Sequence, residues 1–379
     1  MRRVSILMPC RDAAEHIEAA ITSIREQTFT DFEVVAVDDG STDGTYAHLY
    51  TWAQQDARVR LLQTHGRGLV PALATGLAAA RGELVARMDA DDIARPTRLE
   101  KQLSLMDADP RIAACGTGVE YFPEEAVRDG ARRYEQWINS LTTSDDIGRD
   151  IFVECPIAHP TLVIRRHVLL GVGAYREMGW PEDYDLILRV WAAGYRMANV
   201  PEPLLQWREY PERASRTDPR YADAEFRRLK IYFLRHTLLT GDRHAVIWGA
   251  GPIGKTLARD LDEAGTRIAA FVDLNPNKIG QKIHGAPVIA PDELPPFMDA
   301  HEPPGYQAAG AGSRRPGPPG PPRPPRPPRP PRPPRPPRPP RPPRPLILAA
   351  VGQPGAREEI RAECRRQGLV EMEDFIAVA

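Results

Sequence analysis

Four cysteines in 379 residues, Cys10, Cys115, Cys155 and Cys364, are too few and too scattered for a disulfide framework. None forms a CxxC pair, so the usual zinc-site spacings are excluded as well, and a reducing cytoplasm is the expected compartment. Long apolar runs are also missing. No stretch approaches the roughly 20 apolar residues that span a bilayer, so any membrane contact is expected to be peripheral, at the inner face of the plasma membrane. The opening MRRVSILMPC has two arginines, but its apolar run is too short for a secretory signal and reads as a first strand. Excess charge is lacking too. The formal net charge is −1, which leaves no global field to gather nucleic acid, and no specific nucleic-acid partner is expected. That balance is uneven, because residues 314–344 carry arginines and no acidic residue, and the remainder is acidic on balance.

What is present begins with a regular alternation. Val4–Pro9 reads as a buried strand, and Ile17, Ile21 and Ile24 recur at helical spacing. Phe32–Val37 is a β-branched strand, Thr45–Gln55 a helix, Val59–Gln63 a strand and Leu69–Ala80 an Ala-rich helix that Gly82 follows. Leu84–Met88 is the next strand. Such alternation predicts an α/β fold with a parallel sheet covered on both faces, whose ligands bind beyond the carboxyl ends of the strands. Asp38-Asp39 and Asp89-Ala90-Asp91-Asp92 both fall at strand ends, so they are expected on one rim.

The stretch VARMDADD, Val85 to Asp92, places three carboxylates after a short apolar run. Like charges this close repel, and desolvating them is costly unless a positive group sits among them. A D-x-D at a strand end lets two carboxylates share a hard divalent cation, Mg²⁺ or Mn²⁺, which commonly bridges to phosphates. A departing diphosphate needs such neutralisation. A carboxylate at Asp38 or Asp39 can accept hydrogen bonds from a base N–H or a ribose hydroxyl. The plainer reading of either cluster alone is a cap or a turn.

Three segments, taken in order, resemble family 2 glycosyltransferases: VSILMPCRDAAEHIEAAITSIREQTFTDFEVVAVDDGSTDGT, then LAAARGELVARMDADDIARPTRLEKQL, then HPTLVIRRHVLLGVGAYRE with PEDYDLILRVWAAGY. The resemblance covers about residues 3–217 and implies the GT-A fold, with a nucleotide-diphosphate sugar as donor and a glycan or lipid-linked acceptor. It implies inverting, metal-dependent transfer, in cell-surface polysaccharide or glycan synthesis. By position it places Pro9 and Asp39 at the nucleotide base with Asp38 beside them, Asp89 at the ribose or the metal, and Asp91 on the metal. It makes Asp183 the catalytic base. One carboxylate suffices for such a transfer, since it takes the acceptor proton while the metal stabilises the leaving group. Glu182 and Asp183 also read as a helix N-terminus after Pro181, which would fix the base in place. Three departures stand out. Leu73-Ala74-Thr75-Gly76 replaces the arginine-bearing ARN pattern of many members, leaving Arg67 or Arg87 to supply that charge. Tyr210 stands about where many members carry a histidine, with Arg208 and Arg213 as the candidate diphosphate contacts. His159 before Pro160 reads as structural. The processive signature QxxRW is absent, which favours transfer of a single sugar. Uracil, guanine and thymine all stay open as the donor base.

Residues 111–217 are mixed, and the expected first domain is 1–217. A linking helix within 218–242 has two readings, a bridge between domains or a basic amphipathic helix on a membrane. A second, smaller Rossmann-like α/β unit is expected over 243–379. There Gly249-Ala250-Gly251-Pro252-Ile253-Gly254 fits G-x-G-x-x-G between a strand and a helix, and Asp273 ends the next strand 24 residues after Gly249. Gly249, Gly251, Gly254 and Asp273 are therefore candidate nucleotide-binding residues, and an NAD(P)-dependent or nucleotide-sugar-binding role for this unit is the alternative function. No candidate hydride-transfer residue accompanies them. A Pro/Arg-rich insert, 303–345, interrupts the unit, and its arginines every third residue would line one edge of a polyproline II rod.

Overall fold

The computed structural model describes residues 2–299 and 344–379, so the insert lies almost wholly outside the described residues. Among these, the chain builds two sheets. The first contains β1 (Val4–Cys10), β2 (Phe32–Asp39), β3 (Val59–Thr64), β4 (Leu84–Arg87), β5 (Ile93–Ala94), β6 (Ile112–Phe122), β7 (Val163–Arg165) and β8 (Arg196–Arg208). Its order is β3-β2-β1-β4-β7-β6-β8-β5. The expected parallel pairing holds for β3, β2, β1 and β4. Beyond them the sheet is mixed, because β7 runs antiparallel to both β4 and β6. Helices Ile17–Arg25, Thr45–Gln55 and Leu69–Ala79 cover the parallel part. β1 is a central strand with every residue buried, and its alternate side chains feed two cores, Ile6 and Met8 on one face and Leu7 on the other.

Register builds the rim. Cys10 pairs with Asp38, while the ladder between β1 and β4 stops at Leu7 opposite Arg87. Asp38-Asp39 and the loop Asp89–Asp92 thus leave the sheet on either side of the end of β1. Pro9 lies just past the last β4 pairing, where a missing N–H disrupts no bond to that strand.

The second sheet contains β9 (Ala245–Trp248), β10 (Ile268–Val272), β11 (Lys282–Ile283), β12 (Ala286–Ile289), β13 (Leu346–Ala349) and β14 (Phe375–Ala377), in the order β11-β12-β10-β9-β13-β14. β13 lies after the insert in sequence yet pairs in parallel with β9, so chain from both sides of the insert shares one sheet.

The linking segment starts as a short turn of 3₁₀ helix at Pro219–Tyr221 and becomes an α-helix over Asp223–Thr237. It is a bridge. Leu229, Ile231, Phe233 and Leu234 are buried in one core that runs from Leu7 and Val85 to Ala245 and Val378. Each such side chain contributes about 1.5–3 kcal/mol on burial. Three of its four Lys/Arg side chains are engaged as well, and Arg235 is exposed. Arg227 pairs with Asp260, Arg228 donates to the carbonyls of Met178 and Gly179, and Lys230 donates to those of Val153 and Val378. The apolar face that a membrane-surface reading needs is therefore spent inside the protein.

Candidate active site

A cleft of about 990 Å³ lies over the rim. Pro9, Arg11, Asp39, Arg87, Asp89, Asp91, Glu182, Asp183, Tyr210 and Arg213 are among the residues that line it. The positive group that the acidic loop requires is Arg87, from the same VARMDADD stretch. It is 1% exposed. Its guanidinium donates to the carbonyls of Leu7 (3.1 Å) and Met88 (3.0 Å), to His159 Nε2 (3.2 Å) and to Asp89. Burial works against this charge, but Asp89 together with Tyr175 and Glu182 raises its pKa overall, so Arg87 stays protonated. Arg98, also buried, donates to the Arg87 carbonyl, and burial lowers its pKa to about 10. His159 sits within this network, held neutral by burial and by Arg87, and also contacts the Tyr175 hydroxyl at 3.1 Å. The structural reading of His159 fits.

Carboxylate oxygens of Asp89, Asp91 and Asp92 lie within 4.8 Å of one another. Burial, then the neighbouring carboxylates, push Asp91 up and Asp92 well up. Asp92 accepts the Arg208 N–H at 2.9 Å through Oδ1, while its buried Oδ2 has no hydrogen-bond partner. Three converging carboxylates with one unmet buried oxygen fit a hard divalent cation. Asp92 was legible as an acid but not as the buried member of this cluster. The Tyr210 hydroxyl donates to Asp91 at 2.9 Å, so the residue at the histidine position turns toward the cluster.

Asp39 accepts the N–H groups of Arg67 (3.0 Å) and Gly68 (2.8 Å) and the Thr64 hydroxyl, which folds the next loop over the rim. Asp38 is buried behind it, with Oδ1 lacking a partner. Asp183 opens the helix Glu182–Ala192 after Pro181, and its Oδ1 accepts the Tyr184 N–H at 2.7 Å. Burial raises its carboxyl to about 6, against that hydrogen bond. Glu182 beside it is fully buried and raised too, by burial and by Asp183, and the Tyr221 hydroxyl donates to it at 2.9 Å.

Arg208 is placed differently from expectation. Strand residues alternate sides, and Trp207 and Glu209 line the cleft whereas Arg208 does not. Its guanidinium holds the Asp91 carbonyl at 2.8 Å and stacks 4.4 Å from the Phe122 ring. Arg213, over Trp207 at 4.3 Å, does reach the cleft. Of the two arginines suggested for the missing phosphate charge, Arg87 is buried in its own network and Arg67 is absent from the cleft wall. A cation that does line the cleft beside Asp39 is Arg11, which follows β1 directly and lies 3.7 Å from Asp39. Its place one residue past a strand end on the acidic rim was the available signal.

In the second unit, Gly249, Gly251 and Asp273 line a separate cleft, and Gly254 packs beneath them. Asp273 already has partners. Its carboxylate already takes the N–H groups of Ala250 and Asn275 and the Lys278 ammonium, each at 2.9 Å.

The fold of the first unit is that of GT-A glycosyltransferases. The solved TarS 1–349 fragment of S. aureus, in complex with UDP-GlcNAc, superposes with a TM-score of 0.51 at 19% identity, covering 63% of this chain and 68% of that one. Residues 5–171 match the model of glycosyl transferase family 2. The amylovoran biosynthesis glycosyltransferase AmsE of Erwinia amylovora is 32% identical over 209 residues, 55% of this chain and 76% of that protein. The O-antigen biosynthesis glycosyltransferase WbnJ of Escherichia coli is 27% identical over 240 residues, 62% of this chain and 91% of that protein. The chain belongs to glycosyl transferase family 2.

Proposed function

We propose that this glycosyltransferase moves one sugar from a nucleotide-diphosphate donor to an acceptor hydroxyl, with inversion, in building a cell-surface polysaccharide. The names of AmsE and WbnJ, tied to amylovoran and O-antigen, support that setting. The four cysteines, all free and buried, suit a reducing compartment. The reading rests on one observation above all: Asp183, a carboxylate held at a helix start and made basic by burial, lines the same cleft as Asp89 and Asp91 of the acidic cluster.

Asp89, Asp91 and Asp92 would hold Mn²⁺ or Mg²⁺, which when bound neutralises charge on the departing diphosphate. Pro9, Asp39 and the loop Asp39 folds over would seat the nucleotide. Arg11 and Arg213 supply positive charge on that side. The acceptor oxygen attacks the anomeric carbon and forms the new glycosidic bond. The bond from that carbon to the diphosphate breaks, and its electron pair leaves with the nucleotide. The acceptor proton passes to Asp183. A single displacement of this kind inverts the anomeric centre.

Asp183→Asn tests the assignment. It should lower transfer by about 10²-fold or more, in line with general-base contributions. Donor affinity, read by calorimetry with Mn²⁺, should barely change, because the base serves the acceptor. Loss of donor affinity in step with rate would make Asp183 a binding residue, and a near-normal rate would move the base to another carboxylate.

A further inference from the structure

The cleft of the second unit, about 670 Å³, lies within the size range of small-ligand sites, ~300–1,000 Å³. Its position follows from connectivity. From β9 the chain builds β10 and β12 to one side, and β13 and β14 to the other. The loops after β9 and β13 therefore diverge, and the cleft opens between them. Open α/β sheets take their ligands at this kind of switch point, outside the carboxyl ends of the strands.

The three glycines of the turn separate what the fold needs from what it does not. Gly249 has φ +116°, and a Cβ on it would lie 2.7 Å from a Val351 methyl carbon. A Cβ on Gly254 would lie 1.8 Å from the Gly249 carbonyl oxygen, so the helix could not seat against the strand. Both glycines are explained by packing. Gly251 is not. Its φ is −88°, open to any residue, and a Cβ would meet nothing within 4 Å. The space above it belongs to the cleft. Helix Pro252–Glu263 starts there with no side-chain cap, so its first N–H groups are left for another acceptor.

The walls add complementary chemistry. Ile253 and Leu274 line the cleft although 46% and 70% exposed, and Val351 faces the same space. Lys278, tied to Asp273, brings a positive charge to the end of β10. Asp273 in turn braces the glycine turn through the Ala250 N–H. We propose that this cleft binds a nucleoside diphosphate moiety, with phosphates at the uncapped helix start beside Lys278 and the base against Ile253, Leu274 and Val351. That moiety occurs free, within a nucleotide sugar and within a dinucleotide. The proposal is independent of the transfer reaction assigned to the first cleft.

The test is calorimetry on the full chain in EDTA, with ADP, UDP and NAD⁺ as separate probes, on wild type, Gly251→Val and Asp39→Ala. At least one probe should bind wild type. Its affinity should fall at least about tenfold in Gly251→Val, whose side chain would occupy the phosphate seat, and hold in Asp39→Ala, which alters only the first cleft. Whichever probe binds, the order of affinities names the source: UDP for a nucleotide sugar, and NAD⁺ over ADP for a dinucleotide. Binding by none of the three overturns the proposal, and so does binding that Gly251→Val leaves unchanged. Should Gly251→Val fail to fold, hydrogen exchange on wild type decides. Ligand protection at 249–254 and 351–353 supports the site, and protection confined to 9–12 and 39 overturns it. Failure here would leave Mn²⁺-dependent donor binding in the first cleft untouched, so the two readings fall separately.

Discussion

Arg87→Met removes the guanidinium while keeping most of the side-chain volume. The Leu7 carbonyl would still accept the Met88 N–H, and His159 would keep Tyr175. The Met88 carbonyl would lose its Arg87 donor, at about 1–3 kcal/mol for a buried acceptor left unmet. Asp89 would lose its ion pair. Since Asp89 is 31% exposed, water screens it and that loss adds no more than about 1 kcal/mol. Relief from burying a charge offsets part of the sum. The net expectation is about 2 kcal/mol of lost stability, a fall in melting midpoint of roughly 2–4 °C for a cooperative unit of this size. Arg87→Lys should recover less than half of this, because one ammonium cannot reach four acceptors on different sides. The assay is thermal unfolding of both variants in EDTA, so that no cation masks repulsion within the acidic loop. A midpoint for Arg87→Met within about 1 °C of wild type would refute the idea that this arginine holds the rim together.

Asp91→Asn should nearly abolish transfer while leaving the melting midpoint in EDTA close to wild type, and EDTA should silence the wild-type enzyme reversibly; full turnover in EDTA would remove the cation from the chemistry. Transfer should fall as pH drops through about 6, since burial raises Asp183 to that value and only its carboxylate can take the acceptor proton. That limb should vanish from the residual rate of Asp183→Asn, and a limb that persists would belong to another group. Deleting residues 313–344 should leave folding and transferase activity intact, measured as soluble yield and turnover, because β12 and β13 lie in one sheet without it; loss of soluble protein would give the tract a structural role.

Much of the first sheet was legible because its strands are β-branched runs and its helices carry apolar periods. Thr45–Gln55 has the same bounds in sequence and structure. The shared rim was also legible, since strand ends in a parallel arrangement face one way. The short antiparallel strands β5 and β7 were not, because two or three residues carry too little pattern. Side-chain partners were the hardest to see. Arg87 could be placed beside the acids, but not buried with four acceptors, and Arg208 was separated from Arg213 only by the β8 register that turns Arg208 from the cleft, while Arg213 reaches it from the loop beyond β8. Asp273 looked free in sequence because two of its three partners are backbone N–H groups, which carry no residue signature.

Asp150, 3% exposed, lies just before the stretch that carries Glu154 and Cys155 to the wall of the first cleft. It takes the guanidinium of Arg361 from the second unit, lies 3.8 Å from Arg357 of that unit, and accepts the Trp137 indole N–H at 3.0 Å. Lys230 spans the same boundary, reaching the carbonyls of Val153 and Val378 together. A cut near residue 243 would strip Asp150 of Arg357 and Arg361 and leave Lys230 half-satisfied, exposing Leu229 and its neighbours as well. The two sheets are therefore coupled in unfolding, and heat should melt them in one cooperative step, with the Glu154–Cys155 wall of the first cleft beside the seam between them.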